Sequence, residues 1–392
     1  MFHKMPFILL GVIGLAALLN PFIPVNVQSH FFALGLLIKS LIMFLLPLVI
    51  FGLLFKTAAG LAKSATKIVL FLLVAVCCSN FFSTMLSYQV GMLVHHFDLS
   101  IAVPQDHSGL TPAWELALPK WISNVHAMFA GLGLGVVVSL LRPSLAEKLA
   151  AQMEKGVNWI LRGFIVAMPL FIAGFAMKLA HDGLIVQIVK NYALIFAVIA
   201  LAVFSYIIFI YLAINRFRIP RFLSSMKNML PAAVAGFGSM SSAAAMPLTL
   251  TGVEKNAKDP SLARAVIPAT VNIHLIGDCF AIPIFAFAVL KNFGAPQPEF
   301  LAYLMFAFYF VMAKFSVAAI PGGGIIVMLP ILESYLGFNA EMLSLITALY
   351  ILFDPVITSA NVLGNGGFAM AFSRLFGKRT EHPIGEERSV KL

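Results

Sequence analysis

The feature that most constrains this chain is its series of apolar runs, each about 20 residues or longer. An α-helix needs about 20 apolar residues to cross a bilayer, whereas an outer-membrane strand is about half as long and alternates with a period of two. The chain is 61% hydrophobic and only 11% charged, against roughly 25% charged in soluble domains. These runs predict an all-α polytopic membrane protein.

The positions of Lys and Arg predict how the chain crosses the membrane, because cytoplasmic loops carry an excess of these residues. With a cytoplasmic N-terminus, all but six of the 26 Lys and Arg residues fall in both termini and in the loops at 56–67, 142–162, 216–227 and 254–264. The six exceptions are Lys39, Lys120, Lys178, Lys190, Lys291 and Lys314. This bias predicts eight spans in the inner (plasma) membrane with both termini in the cytoplasm, and explains the net charge of +10 without a nucleic-acid partner.

The apolar runs place the eight spans at about 6–25, 32–55, 66–96, 121–142, 157–181, 186–215, 262–290 and 341–376. Two further apolar stretches, 222–252 and 300–338, are interrupted by the Ser-rich sequence Ser239–Pro247 and by the sequence Pro321–Gly324. Backbone groups at membrane depth must be paired, so such breaks must be buried in protein or line a cavity. The two stretches predict re-entrant helical hairpins of an inverted-repeat transporter; two kinked ordinary helices are the alternative.

Polar residues at membrane depth mark the candidate site, because ionisable groups there are costly and functional. One helix face of the last span carries Asp354, Ile357, Thr358, Asn361 and Asn365. A second cluster holds Thr270, Asn272, His274 and Asp278. His274 and Asp278 are four residues apart, so we expect a hydrogen-bonded pair between them. Hydrogen bonds between helices are the alternative role for these residues, and no metal-ligand spacing is present.

The order of these motifs resembles the dicarboxylate/amino acid:cation symporters, the glutamate-transporter family with its neutral amino-acid branch. The segment Leu41–Val49 in the second helix is also similar to that family. The likeness covers nearly the whole chain, as of a divergent member. It implies a homotrimer in which a transport domain moves like an elevator against a scaffold.

The resemblance also implies the division of the chain into domains. Scaffold helices 1 and 2 would lie in 1–65, and helix 3 of the transport domain in 66–97. An external loop and scaffold helices 4 and 5 would lie in 98–185. The transport-domain core, with helices 6 to 8 and both hairpins, would occupy 186–376, and 377–392 would be a cytoplasmic tail.

The resemblance further implies the roles of individual residues. The substrate-binding residues would be Ser241, Ser242, Ile320, Pro321, Gly322, Gly323, Asp354, Ile357, Thr358 and Asn361. The two serines would meet the α-carboxylate of the substrate, the second tip would be the gate, and Asp354 would hold the amino group with Thr358 nearby. The cation-binding or coupling residues would be Asn272, His274, Asn361 and Asn365, and Asp278 is added to them because it lies one predicted helical turn from His274.

Three departures from the family pattern change the expected substrate and coupling ion. His274 and Asn365 stand where the family has carboxylates that hold sodium, and Ile357 stands where carriers of acidic amino acids have an arginine. We therefore expect a neutral amino acid as substrate, weakened or absent sodium dependence, and a proton carried through His274 in place of at least one cation. The alternative is a neutral His274 that is hydrogen-bonded to a backbone carbonyl, with coupling lost altogether. No cofactor is expected beyond the coupling ion, Na+ or H+.

Three other functions compete with the amino-acid symporter. A dicarboxylate or other organic-anion symporter of the same fold is the first, although Asp354 would repel a dianion. An intramembrane enzyme could use His274 and Asp278, but neither a nucleophile nor a metal set accompanies them. The third is a channel, or a sensor that binds without transporting.

Overall fold

The computed structural model describes residues 5–63, 67–96, 109–116, 118–119, 121–317 and 322–377. Within these ranges the chain is helical, with thirteen α-helices, one short 3-10 helix at Asn20–Phe22, and no β-strand. The α-helices are α1 (Met5–Leu19), α2 (Val25–Lys63), α3 (Lys67–His96), α4 (Asn124–Leu141), α5 (Pro143–His181), α6 (Leu184–Ile214), α7 (Ile219–Ser239), α8 (Ser242–Asn256), α9 (Pro260–Thr270), α10 (Ile276–Asn292), α11 (Phe300–Lys314), α12 (Gly323–Leu336) and α13 (Ala340–Phe376).

Several of these helices are suited to a bilayer. Among the described residues, five segments are long and apolar enough to cross it: Val25–Lys56, Leu70–His96, Pro143–Lys178, Tyr192–Ile214 and Glu341–Phe376. Shorter apolar helices occur at His126–Leu141, Phe300–Lys314 and Gly323–Leu336. The predicted all-helical membrane protein is confirmed at this level, while the count of eight spans stays a prediction.

Two helices extend well beyond their predicted bounds. We placed the second span at 32–55 and the fifth at 157–181, but α2 runs over Val25–Lys63 and α5 begins at Pro143. Proline is well tolerated at the first helical position, and the following residues are rich in Ala, Leu, Glu and Lys, which are strong helix formers. Much of the predicted loops at 56–67 and 142–162 is therefore helix that continues past the apolar run.

The prediction of one continuous helix over 262–290 is wrong. Helix α9 ends at Thr270 and α10 begins at Ile276, and the five residues between them are not helical. The side chain of Asn80 in α3 pairs the backbone of this break: its Nδ2 donates to the Ile273 carbonyl (2.7 Å), and its Oδ1 accepts from the Leu275 N–H (3.2 Å). A buried break is stable because a neighbouring helix satisfies its polar groups.

The two interrupted stretches form pairs of packed helices. Helices α7 and α8 lie against each other and are joined at Met240, which is left-handed (φ 50°), and Ser241, whose Oγ accepts from the Ala244 N–H at the start of α8. Helices α11 and α12 also pack together. The second turn ends in Gly322 at φ 72°, a backbone conformation that favours glycine.

The helices fall into two packing groups. Helices α1, α2, α4 and α5 pack chiefly with one another. Helices α3 and α6 to α13 form the second group, in which α10 and α13 pack against most of the others. Every residue of α10 except Lys291 is buried. Contacts between the groups are sparser and include those of α5 with α6 and of α2 with α12. Large exposed apolar side chains such as Trp159, Leu201 and Leu140 suit a lipid environment.

The crossing of α2 and α5 depends on two glycines, and this gives a test of the first packing group. A Cβ on Gly174 would lie 3.0 Å from the Gly35 backbone nitrogen and would also meet the Phe31 carbonyl. Gly174→Val should therefore lower the melting temperature of the purified protein by several degrees, since overpacking a tight contact costs about 1–3 kcal/mol. Gly163→Val in the same helix, where a Cβ meets nothing within 4 Å, is the control. Equal melting temperatures for the two variants would contradict this packing.

Candidate functional site

The two helix turns, the break before α10 and the middle of α13 meet at a narrow cavity of about 20 Å³. This is room for about one water molecule. The described residues that line it are Met240, Ser242, Asn272, Leu275, Asp278, Val317, Gly324, Tyr350, Asp354, Thr358 and Asn361. The structure therefore brings most of the predicted polar residues together around one space.

Asp354 is the carboxylate on the α13 wall of this cavity. Its side chain is buried, its Oδ2 accepts from the Gly322 N–H (2.9 Å), and its Oδ1 accepts from the Thr358 hydroxyl (3.0 Å). Both donors are neutral. No Lys, Arg or His of the described ranges forms an ion pair with Asp354. A buried carboxylate in this state lacks a compensating positive charge.

Asn361 follows Asp354 by seven residues on α13, and its side chain caps the start of α10. Its Oδ1 accepts from the Gly277 N–H at 2.8 Å and lies 3.4 Å from the Asp278 nitrogen. Gly277 packs directly on the Ile357 carbonyl, so a side chain at this position would clash. Asn361 thus holds the start of α10 against α13 while it lines the cavity.

Asp278 does not pair with His274, and that prediction is wrong. Its Oδ2 accepts from Lys314 Nζ at 2.9 Å, and its Oδ1 accepts from the Tyr350 hydroxyl at 2.8 Å. The four-residue spacing fails because His274 lies in the break while Asp278 lies in the first turn of α10, so the two are not on one helix.

His274 and Asn365 belong to a second cluster beside the break. His274 is fully buried, its Nε2 lies 2.9 Å from Ser79 Oγ, and its ring centroid lies 4.4 Å from that of Phe368. The Thr270 hydroxyl donates to Asn365 Oδ1 at 2.6 Å. His274 Nδ1 and Asn365 Nδ2 are buried without a hydrogen-bond partner among the described residues. This cluster contains amide, hydroxyl and imidazole groups and no carboxylate.

Only some of the residues predicted at the two tips lie at the cavity. Ser242 is buried and lines the cavity, and Ser241 caps α8. Gly322 donates to Asp354 and Gly323 begins α12, while Ile320 and Pro321 lie outside the described residues. Ile357 is buried and is not among the residues that line the cavity.

From the sequence, Lys314 and Tyr350 are not assigned to the site, and Gly324 is placed in the second tip without a role in the site. Lys314 stands alone at the end of an apolar helix and was noted only as an exception to the charge bias, although an isolated lysine at membrane depth is itself a signal. Tyr350 lies four residues before Asp354, on the face of the helix that carries the polar stripe. Asn80 was also missed, because no sequence pattern links it to residues almost 200 positions away.

A larger cavity of about 670 Å³ lies between α2, residues 109–116 and 118–119, α5 and the junction of α12 with α13. Its charged lining residues are Lys39, Glu115, Lys178, Glu333 and Glu341. Lys178 pairs with Asp182 (3.0 Å) and Glu341 (3.4 Å). Size alone would favour this cavity, but the polar groups of the helix breaks converge on the smaller one, which we take as the candidate site.

Interrupted apolar helices that meet at a polar cavity define the class of membrane transporters. The sequence profile of the Sodium:dicarboxylate symporter family matches residues 5–375, and the chain belongs to this family. The family is one of symporters, and the long apolar helices of this chain are those of a multi-pass membrane protein.

Individual relatives match a shorter part of the chain. It is 28% identical over 141 residues to an excitatory amino acid transporter of Caenorhabditis elegans, which covers 36% of this chain and 28% of the nematode protein. Excitatory amino acid transporter 1 of Rattus norvegicus is 28% identical over 154 residues, which cover 37% of this chain and 28% of the rat protein. The chain thus spans well under two thirds of the length of these curated relatives.

The break before α10 gives a test of the site's construction. Asn80→Ala removes the partners of two buried backbone groups, and each unsatisfied group costs about 1–3 kcal/mol. We expect a melting temperature clearly below that of Gln89→Ala, an exposed position on the same helix. If the two variants melt alike, Asn80 does not support the break.

Proposed function

We propose that this protein is a secondary active symporter of a neutral amino acid across the inner membrane. The observation that carries the proposal is the buried, unpaired carboxylate of Asp354 beside the cavity. An ammonium group would supply the positive charge that this carboxylate lacks, whereas a dicarboxylate would add negative charge to it. The excitatory amino acid transporters among the relatives support an amino acid over a dicarboxylate.

The cavity also suits the α-carboxylate of an amino acid. Helices α8, α10 and α12 all begin beside it, at Ser242, Ile276 and Gly323. The N-terminus of a helix carries partial positive charge and unpaired N–H groups, which favour anions. The described lining residues include no Arg, Lys or His, and so offer no partner for an acidic side chain. Together these groups favour a zwitterion with an uncharged side chain.

The size of the cavity supports movement during transport. At about 20 Å³ it is smaller than any amino acid, so one wall must move before a substrate can enter. We propose that the wall is the α11–α12 hairpin, which supplies Val317 and Gly324. From the charge bias and the family we further propose eight spans with two re-entrant hairpins, both termini in the cytoplasm, and a trimer. In each subunit the group around α10 and α13 would move like an elevator against α1, α2, α4 and α5.

The second cluster bears on the coupling ion. A dry sodium site favours anionic oxygen ligands, whereas His274 and Asn365 offer an imidazole and an amide. The amide oxygen of Asn365 already accepts from Thr270, and its buried Nδ2 is a donor that would repel a cation. We propose that sodium dependence is weak or absent, and that His274, whose buried Nδ1 has no hydrogen-bond partner among the described residues, carries a coupling proton.

Asp354→Asn tests the substrate proposal. The amide keeps the shape of the side chain but loses the charge that pairs with the ammonium, so binding of alanine, serine or leucine should weaken by at least about 30-fold. Asp182→Asn, the same change in an ion pair away from the cavity, should bind as the unmodified protein does. The measurement is equilibrium binding to purified protein, with glutamate and succinate as competitors. Succinate or glutamate binding more tightly than the neutral amino acids would overturn the proposal.

Uptake into proteoliposomes tests the coupling proposal. We expect uptake to persist when choline replaces sodium, to rise with an inward proton gradient, and to lose that rise in His274→Gln. Full sodium dependence without any response to the proton gradient would refute it. A proton response that survives in His274→Gln would remove His274 from the mechanism.

A further inference from the structure

The pair of Lys314 and Asp278 is the most deeply buried ion pair among the described residues. The side chains are 0% and 2% exposed, and Nζ lies 2.9 Å from Oδ2. The Tyr350 hydroxyl binds the second carboxylate oxygen, and Nζ also lies 4.4 Å from the centroid of the Phe310 ring. Burying two charges at membrane depth is expensive. A pair that is so costly to bury is therefore expected to have a function.

Its position connects the second hairpin to the substrate cavity. Lys314 is the last residue of α11, and Asp278 lies in the first turn of α10 and lines the cavity. Gly324, at the start of α12, packs on the same carboxylate, since a Cβ there would lie 2.8 Å from Asp278 Oδ2. Both arms of the hairpin thus contact one carboxylate, and a cation beside it fixes the hairpin against α10.

The Lys314 ammonium lies beside a carboxylate that would otherwise attract an inorganic cation. The two oxygens of Asp278 and the Tyr350 oxygen would be oxygen ligands for such an ion. Ser316, two residues beyond Lys314, is fully buried, and its hydroxyl has no partner among the described residues. The chain itself provides the positive charge that such ligands attract.

The count of buried charges points in the same direction. Among the described residues, Asp278 and Asp354 are the only buried carboxylates. Lys314 neutralises Asp278, and the ammonium of an amino acid would neutralise Asp354. With substrate bound, Asp278 and Asp354 are both balanced without sodium, so a sodium ion beside them would place an excess positive charge in a dry site.

We propose that Lys314 is a tethered cation that replaces an external sodium ion at Asp278 and allows the second hairpin to close over substrate without sodium. This rests on the transport function proposed above. Because the lysine belongs to the chain, its charge returns with the hairpin in each cycle and is not released on the other side. Sodium then contributes no driving force through Asp278.

The test uses the purified full-length protein in equal concentrations of sodium chloride or choline chloride. Thermal melting without substrate and binding of alanine are measured for the unmodified protein, Lys314→Met, and the double variant Lys314→Met with Asp278→Asn. The single variant leaves a vacant cation position beside an intact carboxylate. The double variant removes both charges and serves as the matched control, and Lys314→Arg tests whether any tethered cation suffices.

For the unmodified protein, for Lys314→Arg and for the double variant, we expect sodium and choline to make no difference. Each of these proteins should have the same melting temperature and the same alanine affinity in the two salts. Lys314→Met should melt higher in sodium and bind alanine about tenfold more tightly there, because an ion that binds only the closed state stabilises it by mass action. Folding of Lys314→Met in sodium alone would be the strongest form of this result.

Three results would overturn the proposal: no sodium response in folded Lys314→Met, failure of that variant to fold in either salt while the double variant folds, or an equal sodium response in all variants. The melting experiment contains no amino acid, so it is independent of the proposed substrate. If sodium rescues Lys314→Met but no amino acid binds the unmodified protein, the proposed function fails and the tethered cation stands.

Discussion

Every unwound backbone segment at membrane depth must find its hydrogen-bond partners inside the protein. In this chain that constraint ties the break before α10 to Asn80 on α3 and to Asn361 on α13. It also ties the second turn to α13 through the bond from Gly322 to Asp354. The groups that stabilise the interruptions therefore also line or border the cavity. Because Gly322 donates to Asp354, a movement of the second turn would alter the hydrogen bonding of the carboxylate that we assign to the substrate.

The two buried carboxylates that line this site have different partners, and we assign them different roles. Asp278 is held by Lys314 and Tyr350, which makes it part of the protein's own structure. Asp354 is held only by neutral donors and remains available to a cationic group. The two side chains line one cavity, so the ammonium of a substrate and the ammonium of Lys314 would act side by side. The two carboxylates are then balanced by one charge from the chain and one from the substrate.

The sequence predicted the helices better than it predicted which side chains bind one another. The apolar runs predicted the helices, and the spacing of Asp354, Thr358 and Asn361 correctly predicted one polar face, because α13 is a continuous helix through them. The same spacing argument failed for His274 and Asp278, since the helix is interrupted between them and a local pattern cannot show which distant side chain satisfies a break. Asp278 pairs with Lys314, 36 positions away, and Asn80 binds Leu275 in the break before α10, 195 positions away.

An experimental structure of the full-length protein with alanine bound would test the assignment of Asp354 most directly. We expect the amino group to lie within about 3 Å of the Asp354 carboxylate and the α-carboxylate to face the start of α8 at Ser242. Lys314 should remain paired with Asp278 with no sodium ion between them. Alanine bound in the larger cavity beside Lys178, or in the small cavity with its amino group away from Asp354, would contradict it.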